Sequence, residues 1–314
     1  MEGSERQLRR RQAARHRRVR RLAAIAVIVL GAAAALAVTL VATGRGSRAP
    51  TSAARAEPAR AAAATTAGSV ARRPQSQVLR LPSVLPAVSL SVPILMYHRI
   101  DVLRPTLPAI TRRLTVDPND FAAQMRWLRS RGFHTISQQQ LFDALERGGK
   151  LPTKPILLTF DDGYRDVFGK AMPILSRLHM RATAYVITDR ISGPDPSFLT
   201  WGRLLGLERH GFDIGSHTVH HLELTELPDA EVMSELVQSR RALEQHLGHS
   251  VQWFAYPAGA FNAHAVELVR KAGYVLAVTT QPGALQSAQA PLELHRYEIL
   301  DSTGVAGLRA ILGG

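Results

Sequence analysis

The chain has 314 residues, enough for one large domain or two small ones. It contains no cysteine, which excludes disulfides, thiolate metal sites and cysteine nucleophiles. The net charge of +14 invites a nucleic-acid partner, but its distribution argues against one: residues 1–21 carry nine Arg against Glu2 and Glu5, residues 44–92 carry seven Arg against Glu57, and removing +7 and +6 leaves about +1 for residues 93–314.

Residues 1–21 read as a basic cytoplasmic tail. Residues 22–43 hold no charge and match the length of about 20 apolar residues that spans a bilayer, so a transmembrane anchor is expected there. The arginines before it stay cytoplasmic by the positive-inside rule and send the rest of the chain outside. A small-residue site near Ala54-Arg55-Ala56 keeps cleavage and secretion open. Residues 44–92 are rich in Ala, Arg, Pro, Ser and Thr, a composition that builds no core and reads as a disordered, flexible linker. The catalytic domain is expected over 93–314.

From Ser91 the pattern alternates strand and helix. A strand over Ser91–Tyr97 ends in His98 and Arg99. Asp117-Pro118 is an N-cap with proline at the first helical position, and that helix stops at Gly132. Ser137 and Gln140 form a capping box for a helix ending near Gly148. Pro155–Phe160 is an apolar run without polar alternation, as in a strand buried on both faces, and it ends in Asp161-Asp162-Gly163. A helix is expected over Tyr164–Leu178, a strand over Ala182–Ile187 and a helix over Trp201–Gly211 capped by Thr200. The strand Phe212–Gly215 ends in Ser216-His217-Thr218-Val219-His220-His221. A long helix from Pro228 to Leu247 precedes the strand Val251–Tyr256, which ends in Pro257-Ala258-Gly259. Helix Ala263–Ala272 and strands Tyr274–Thr279 and Leu292–Ile299 close the pattern. Such alternation implies a parallel sheet, open or closed into a (β/α) barrel, with the polar motifs at strand carboxyl ends.

Two adjacent carboxylates at a buried strand end are costly unless a cation or a shared proton relieves them. His217 and His221 can meet one ion, though alone they read sooner as surface histidines in a polar loop. Joined to Asp162 they make an Asp-His-His set that leaves positions open, as in a catalytic metal site. Asp161 is then free to act as general base toward water. The bland reading of the Asp-Asp-Gly run is a cap or turn. His220 has no role here. Trp201 reads as a core residue or a sugar platform, and Tyr164 as a site wall or a packing residue.

Thr159-Phe160-Asp161-Asp162-Gly163, Ser216–His221 and Tyr256-Pro257-Ala258-Gly259 resemble the first three motifs of the polysaccharide deacetylases, carbohydrate esterase family 4, in order and spacing. The resemblance covers about residues 93–300. It implies a distorted (β/α) barrel of about seven parallel strands and a divalent metal, usually zinc and sometimes cobalt or manganese. It also implies hydrolysis of N-acetyl groups on an N-acetylglucosamine-containing cell-surface or extracellular polysaccharide. By the motif match Asp161 is the base, Asp162, His217 and His221 are ligands, and the Ala258 N–H faces the oxyanion. The position that holds an orienting arginine in the family's third motif is Ala255 here, and the fourth motif is not recognisable around Leu276–Gln281. The opening Pro93–Arg99 is similar to a circularly permuted subgroup typified by the poly-N-acetylglucosamine deacetylases, which implies His98 as the general acid. Leu292-Glu293-Leu294-His295 offers His295 as a second candidate. The rival readings are a metal-free glycosidase on the same barrel and a non-catalytic glycan-binding module.

Overall fold

The computed structural model describes residues 78–82, 84 and 87–313. The expected tail (1–21), anchor (22–43) and residues 44–77 of the linker lie outside the described residues. Among the described residues no helix is long and apolar enough to cross a membrane.

Seven parallel strands form a curled sheet. They are β1 (Ile94–Tyr97), β2 (Pro155–Phe160), β3 (Ala182–Val186), β4 (Phe212–Ser216), β5 (Trp253–Ala255), β6 (Leu276–Val278) and β7 (Tyr297–Glu298), in the order β6-β5-β4-β3-β2-β1-β7. His134–Thr135 adds a short parallel strand to the start of β2. One segment links the two sides of the sheet. Leu294 bridges Val278 of β6 in parallel, and three residues later Tyr297 pairs with Leu95 of β1.

The sheet is buried on both faces, and alternation along each strand assigns side chains to them. Leu95, Tyr97, Leu158, Phe160, Ala184 and Val186 pack outward in one cluster with residues of the covering helices. Ile94, Leu157, Tyr185, Ala255, Leu276 and Val278 share a second cluster on the inner face. Continuing the inner phase past the strand ends places His98, Asp161 and His217 inward. The chemistry-bearing residues are thus the last inner rungs of their strands.

The helices form where their caps and apolar stripes predict. Helix α1 (Pro118–Ser130) is capped by Asp117, whose side chain accepts from Asn119 N. Helix α2 (Gln138–Arg147) has both halves of the Ser137/Gln140 capping box and ends at Gly148 in the left-handed region. The helix expected over 164–178 is present over 165–177, interrupted by a π-type turn that leads into helix α3 (Met172–Arg177). The wide turn covers Val167–Ala171, just before Pro173, which cannot donate to the ladder; Asp166 at its start is helical and takes Arg99 with its side chain. Helices α4 (Trp201–Arg209), α5 (Asp229–Leu247) and α6 (Ala263–Lys271) match the sequence pattern within a few residues.

The linker expectation ran too far. Leu79 is buried, and its backbone N–H and carbonyl both pair with the Gln252 amide. Ser89–Ser91 forms an antiparallel pair with Leu285–Ser287. Leu79 and Leu90 escaped the composition argument, which averages over the whole Ala/Arg/Pro/Ser/Thr-rich stretch, but seat on the inner-face cluster.

Candidate active site

The strand ends bring together Asp161 and Asp162 from β2, His217 and His221 from the loop after β4, and His98 after β1. The two neighbouring carboxylates are treated in opposite ways. Asp161 is buried and receives two parallel bonds from one guanidinium: Arg296 Nη1 to Oδ1 at 2.8 Å and Arg296 Nη2 to Oδ2 at 2.7 Å. Arg296 is itself buried. It also donates to Thr279 O at 2.8 Å and to Thr159 Oγ1 at 3.1 Å. Burial pushes the Asp161 carboxyl up, but the Arg296 charge and hydrogen bonds outweigh it and hold the pKa at about 2. Asp161 is therefore a fixed, ionised carboxylate.

Asp162 is only half-buried and has a positive φ of 72°. The Nε2 atoms of His217 and His221 each stand 3.6 Å from its Oδ1. That is too long for a hydrogen bond. It is close to the roughly 3.4 Å that separates two ligand atoms bound at ~2.1 Å around one tetrahedral ion. The three groups can offer ligand atoms all within 4.8 Å of one another. The His217 Nδ1 donates to Ala255 O at 2.8 Å, which leaves Nε2 as the lone-pair nitrogen facing Asp162. Burial lowers the His217 pKa to about 4, so its imidazole is neutral, the form that ligates. The donor set, its spacing and its tautomer fit a divalent cation.

The backbone around the cluster is strained. Among the described residues seven non-glycine residues have positive φ, and Asp162, Thr218, His221 and Ala258 are four of them. Such conformations persist where surroundings over-determine them. The clamp on the histidine loop is Glu235 of α5. Its Oε2 accepts from Val219 N at 3.0 Å and His220 N at 2.9 Å, and its Oε1 meets His220 Nδ1 at 2.6 Å. Thr218 Oγ1 accepts from His221 N at 2.9 Å. His220, without a role in the sequence, thus helps tie down the loop that carries the other two histidines.

In Tyr256-Pro257-Ala258-Gly259, Ala258 is exposed with φ 55°. Gly259 is obligatory, because a Cβ there would sit 2.0 Å from Thr280 Oγ1. His98 is half-buried and close enough to Asp161 for its charge to act on that carboxylate, and its buried Nδ1 has no partner among the described residues. His295 is directed elsewhere. Its ring lies against Gly283, and its backbone pairs with the Gln286 side chain. Trp201 stacks on His246 at 3.6 Å and packs against the helix-side core. Tyr164 stacks on Phe198 at 4.8 Å beneath Arg99.

Sequence reasoning missed Arg296 and Glu235. Ala255 stands where the third motif of the family holds its orienting arginine, and Arg296 lies 41 positions further on, directly after His295. The missing cation in the third motif was the signal that another arginine had to supply it.

The sequence signature of the family described as polysaccharide deacetylase matches residues 148–277. The Bacillus subtilis protein YxkH, whose name assigns it to the polysaccharide deacetylases, is 33% identical over 216 residues, covering 69% of this chain and 73% of that one. A poly-β-1,6-N-acetyl-D-glucosamine N-deacetylase of Staphylococcus aureus is 24% identical over 174 residues, and the chain spans 60% of its length. The solved structure of the Streptococcus pyogenes deacetylase PplD in complex with acetate superposes with a TM-score of 0.66 at 30% identity, covering 72% of this chain and 99% of that one.

Proposed function

This chain belongs to the polysaccharide deacetylase family and is a hydrolase of amide bonds, and from that premise we propose that it removes N-acetyl groups from an N-acetylglucosamine polymer at a metal site held by Asp162, His217 and His221. Membership in an amide-hydrolysing family sets aside the glycosidase and binding-module readings. The observation that carries the proposal is the division between the two carboxylates. One is locked to an internal arginine, and the other converges with two imidazoles at ligand spacing.

A bound divalent ion supplies Lewis acidity toward the substrate carbonyl; zinc suits a donor set of two imidazoles and a carboxylate, with cobalt or manganese as substitutes. The chain's residues do the rest. Asp161, ionised and rigid, accepts the proton of the attacking water. The Ala258 N–H, on a turn whose carbonyls are tied by Gly259 and Ala260, donates to the oxyanion that develops on the acetamide. His98 gives a proton to the departing amine; its place at the inward end of β1, close to Asp161, supports that role.

Residues 22–43 anchor the protein in the cell membrane as a single span, with the site extracytoplasmic, or the chain is secreted if the segment is cleaved. The charge-free run behind an arginine-dense tail supports this.

The test is acetate release by the purified full-length protein from chito-oligosaccharides and β-1,6-linked N-acetylglucosamine oligomers, before and after chelation, with metal analysis of the same sample. Loss of activity on chelation and its return with zinc is expected. Full activity in verified metal-free protein would overturn the metal reading. Membrane fractionation with protease protection tests the placement.

A further inference from the structure

Beside the site runs a groove of about 570 Å³ that the chemistry above does not use. The residues that matter in it are Arg99, Arg104, Arg165, Lys170 and Arg203, against Asp101 and Asp166. Both acids are already engaged. Asp166 takes Arg99 Nη2 at 2.9 Å and Nε at 3.0 Å, and also Ile100 N at 3.0 Å. Asp101 pairs with Lys170. Arg104, Arg165 and Arg203 are exposed, and their side chains make no ion pair or hydrogen bond with the described residues. The folded body as a whole is almost charge-balanced, at about +1 over residues 93–314. Three unpaired guanidinium groups in one concave wall are therefore a local concentration, not the reflection of a basic protein.

The groove adjoins the site. Arg99 directly follows His98, and its guanidinium lies 4.6 Å over the ring of Tyr164. Tyr164 is two residues from Asp162 and feels its charge. A polymer with one acetamide at Asp162 has its neighbouring units beside this wall. Guanidinium groups bind carboxylates and phosphates in paired, charge-assisted bonds, whereas a neutral hydroxyl gains less from them. Deacetylation turns a neutral amide into an ammonium, which the same wall repels.

We infer that this groove binds anionic groups on the substrate, so that the preferred polymer is an acetylated amino-sugar chain that also bears carboxylates or phosphodiesters. The inference rests on the deacetylase reading of the adjoining site, and the two are separable by experiment. The full-length protein is given three N-acetylated glycans of similar length: a neutral N-acetylglucosamine oligomer, one carrying carboxylates and one carrying backbone phosphodiesters. Acetate release and equilibrium binding are measured at low and high salt.

The expected kcat/KM for an anionic substrate exceeds the neutral one by about tenfold at low salt and falls as salt screens the groove. Comparison of the two anionic arms identifies the source of the charge. The Arg104→Gln/Arg165→Gln/Arg203→Gln variant raises KM for the anionic substrates about tenfold and leaves the neutral one within about twofold. Arg203→Gln alone shifts it in the same direction and serves if the triple variant folds poorly. Equal kcat/KM on all three glycans, or an equal loss on all three in the variant, overturns the inference. Salt-dependent and arginine-dependent binding of the anionic glycans without acetate from any glycan leaves the groove standing and refutes the deacetylase reading.

Discussion

The floor and the rim of the site hold their charges by different means. At the floor, Asp161, Arg296, Thr159 and Thr279 form a connected, buried set in which the guanidinium makes four bonds, two of them to the Asp161 carboxylate. At the rim, Asp162, His217 and His221 converge without a hydrogen bond among them on a backbone with left-handed residues, held from behind by Glu235. The floor is complete without any ligand. The rim is preorganised to receive positive charge. Adjacent carboxylates can take such different roles because Asp161 continues the inner phase of β2, while Asp162, in the opposite phase by alternation, leaves the strand at a positive φ and meets His217 and His221 instead.

The largest effect expected from breaking this contrast is at the rim. Asp162→Ala should lower kcat/KM by about a thousandfold or more, since the ion is asked for several kcal/mol of transition-state stabilisation. Its melting temperature should hardly change without added metal, because no packed or hydrogen-bonded partner is lost. A retained ability of the variant to be stabilised by zinc, read by thermal shift, would show that the ion sits elsewhere.

Arg296→Met attacks the floor, and there activity and stability should fall together. It leaves Asp161 buried without its cation, at a cost of about 3–5 kcal/mol. The double variant Asp161→Asn/Arg296→Met should regain much of the stability and none of the activity. Acid titration sharpens the point. The Asp161 pKa is lowered to about 2 from an unfolded value near 3.8, so the pair's contribution is present above the unfolded value and is lost as pH falls through the folded one. Wild-type stability should therefore drop more steeply than that of the double variant as pH is lowered from about 4 to about 2. Parallel curves for the two proteins would mean that the Asp161–Arg296 pair does not set the acid limit.

Glu235→Gln weakens the clamp without touching the ion. The amide that replaces the carboxylate still accepts from the loop N–H groups but loses the charge that draws His220 Nδ1. Metal affinity should fall about 10- to 100-fold, the range seen when supports behind ligands are altered, with kcat at saturating metal close to normal. Competition with a chromophoric chelator measures it. An unchanged metal affinity would reduce Glu235 to a helix residue that happens to touch the loop.

The parts legible in the sequence are those encoded locally. Caps at Asp117, Ser137 and Thr200, the apolar run of β2 and the order of the polar motifs all depend on residues a few positions apart. What escaped depends on distant pairs. Arg296 reaches Asp161 across 135 positions, in a segment whose only regular structure is a two-residue strand. Glu235 lies on α5 in phase with Val232, Leu236 and Leu243, but the loop N–H groups it holds are 15 and 16 positions away, beyond the reach of helical periodicity. The Arg99–Asp166 pair at the start of the π-type turn is again a contact between distant segments that periodicity cannot register.

The smallest expected effect separates two consecutive residues, just as Asp161 and Asp162 are separated. His295 and Arg296 follow one another into β7, and alternation sends their side chains to opposite sides. Arg296 goes inward to the floor, and His295 goes out over Gly283, where a Cβ would approach its Nδ1 to 2.6 Å. His295→Ala should therefore leave kcat/KM within about twofold and cost about 1 kcal/mol or less of stability, as for a half-buried residue whose backbone bonds to Gln286 remain. His98→Ala should lower kcat by about 10²- to 10⁴-fold, the usual worth of a positioned proton donor. The pair of variants decides which histidine serves the leaving amine. If His295→Ala showed the large loss and His98→Ala the small one, the acid would have to be supplied from the Gly283 side, and the inward phase of β1 would have no catalytic meaning.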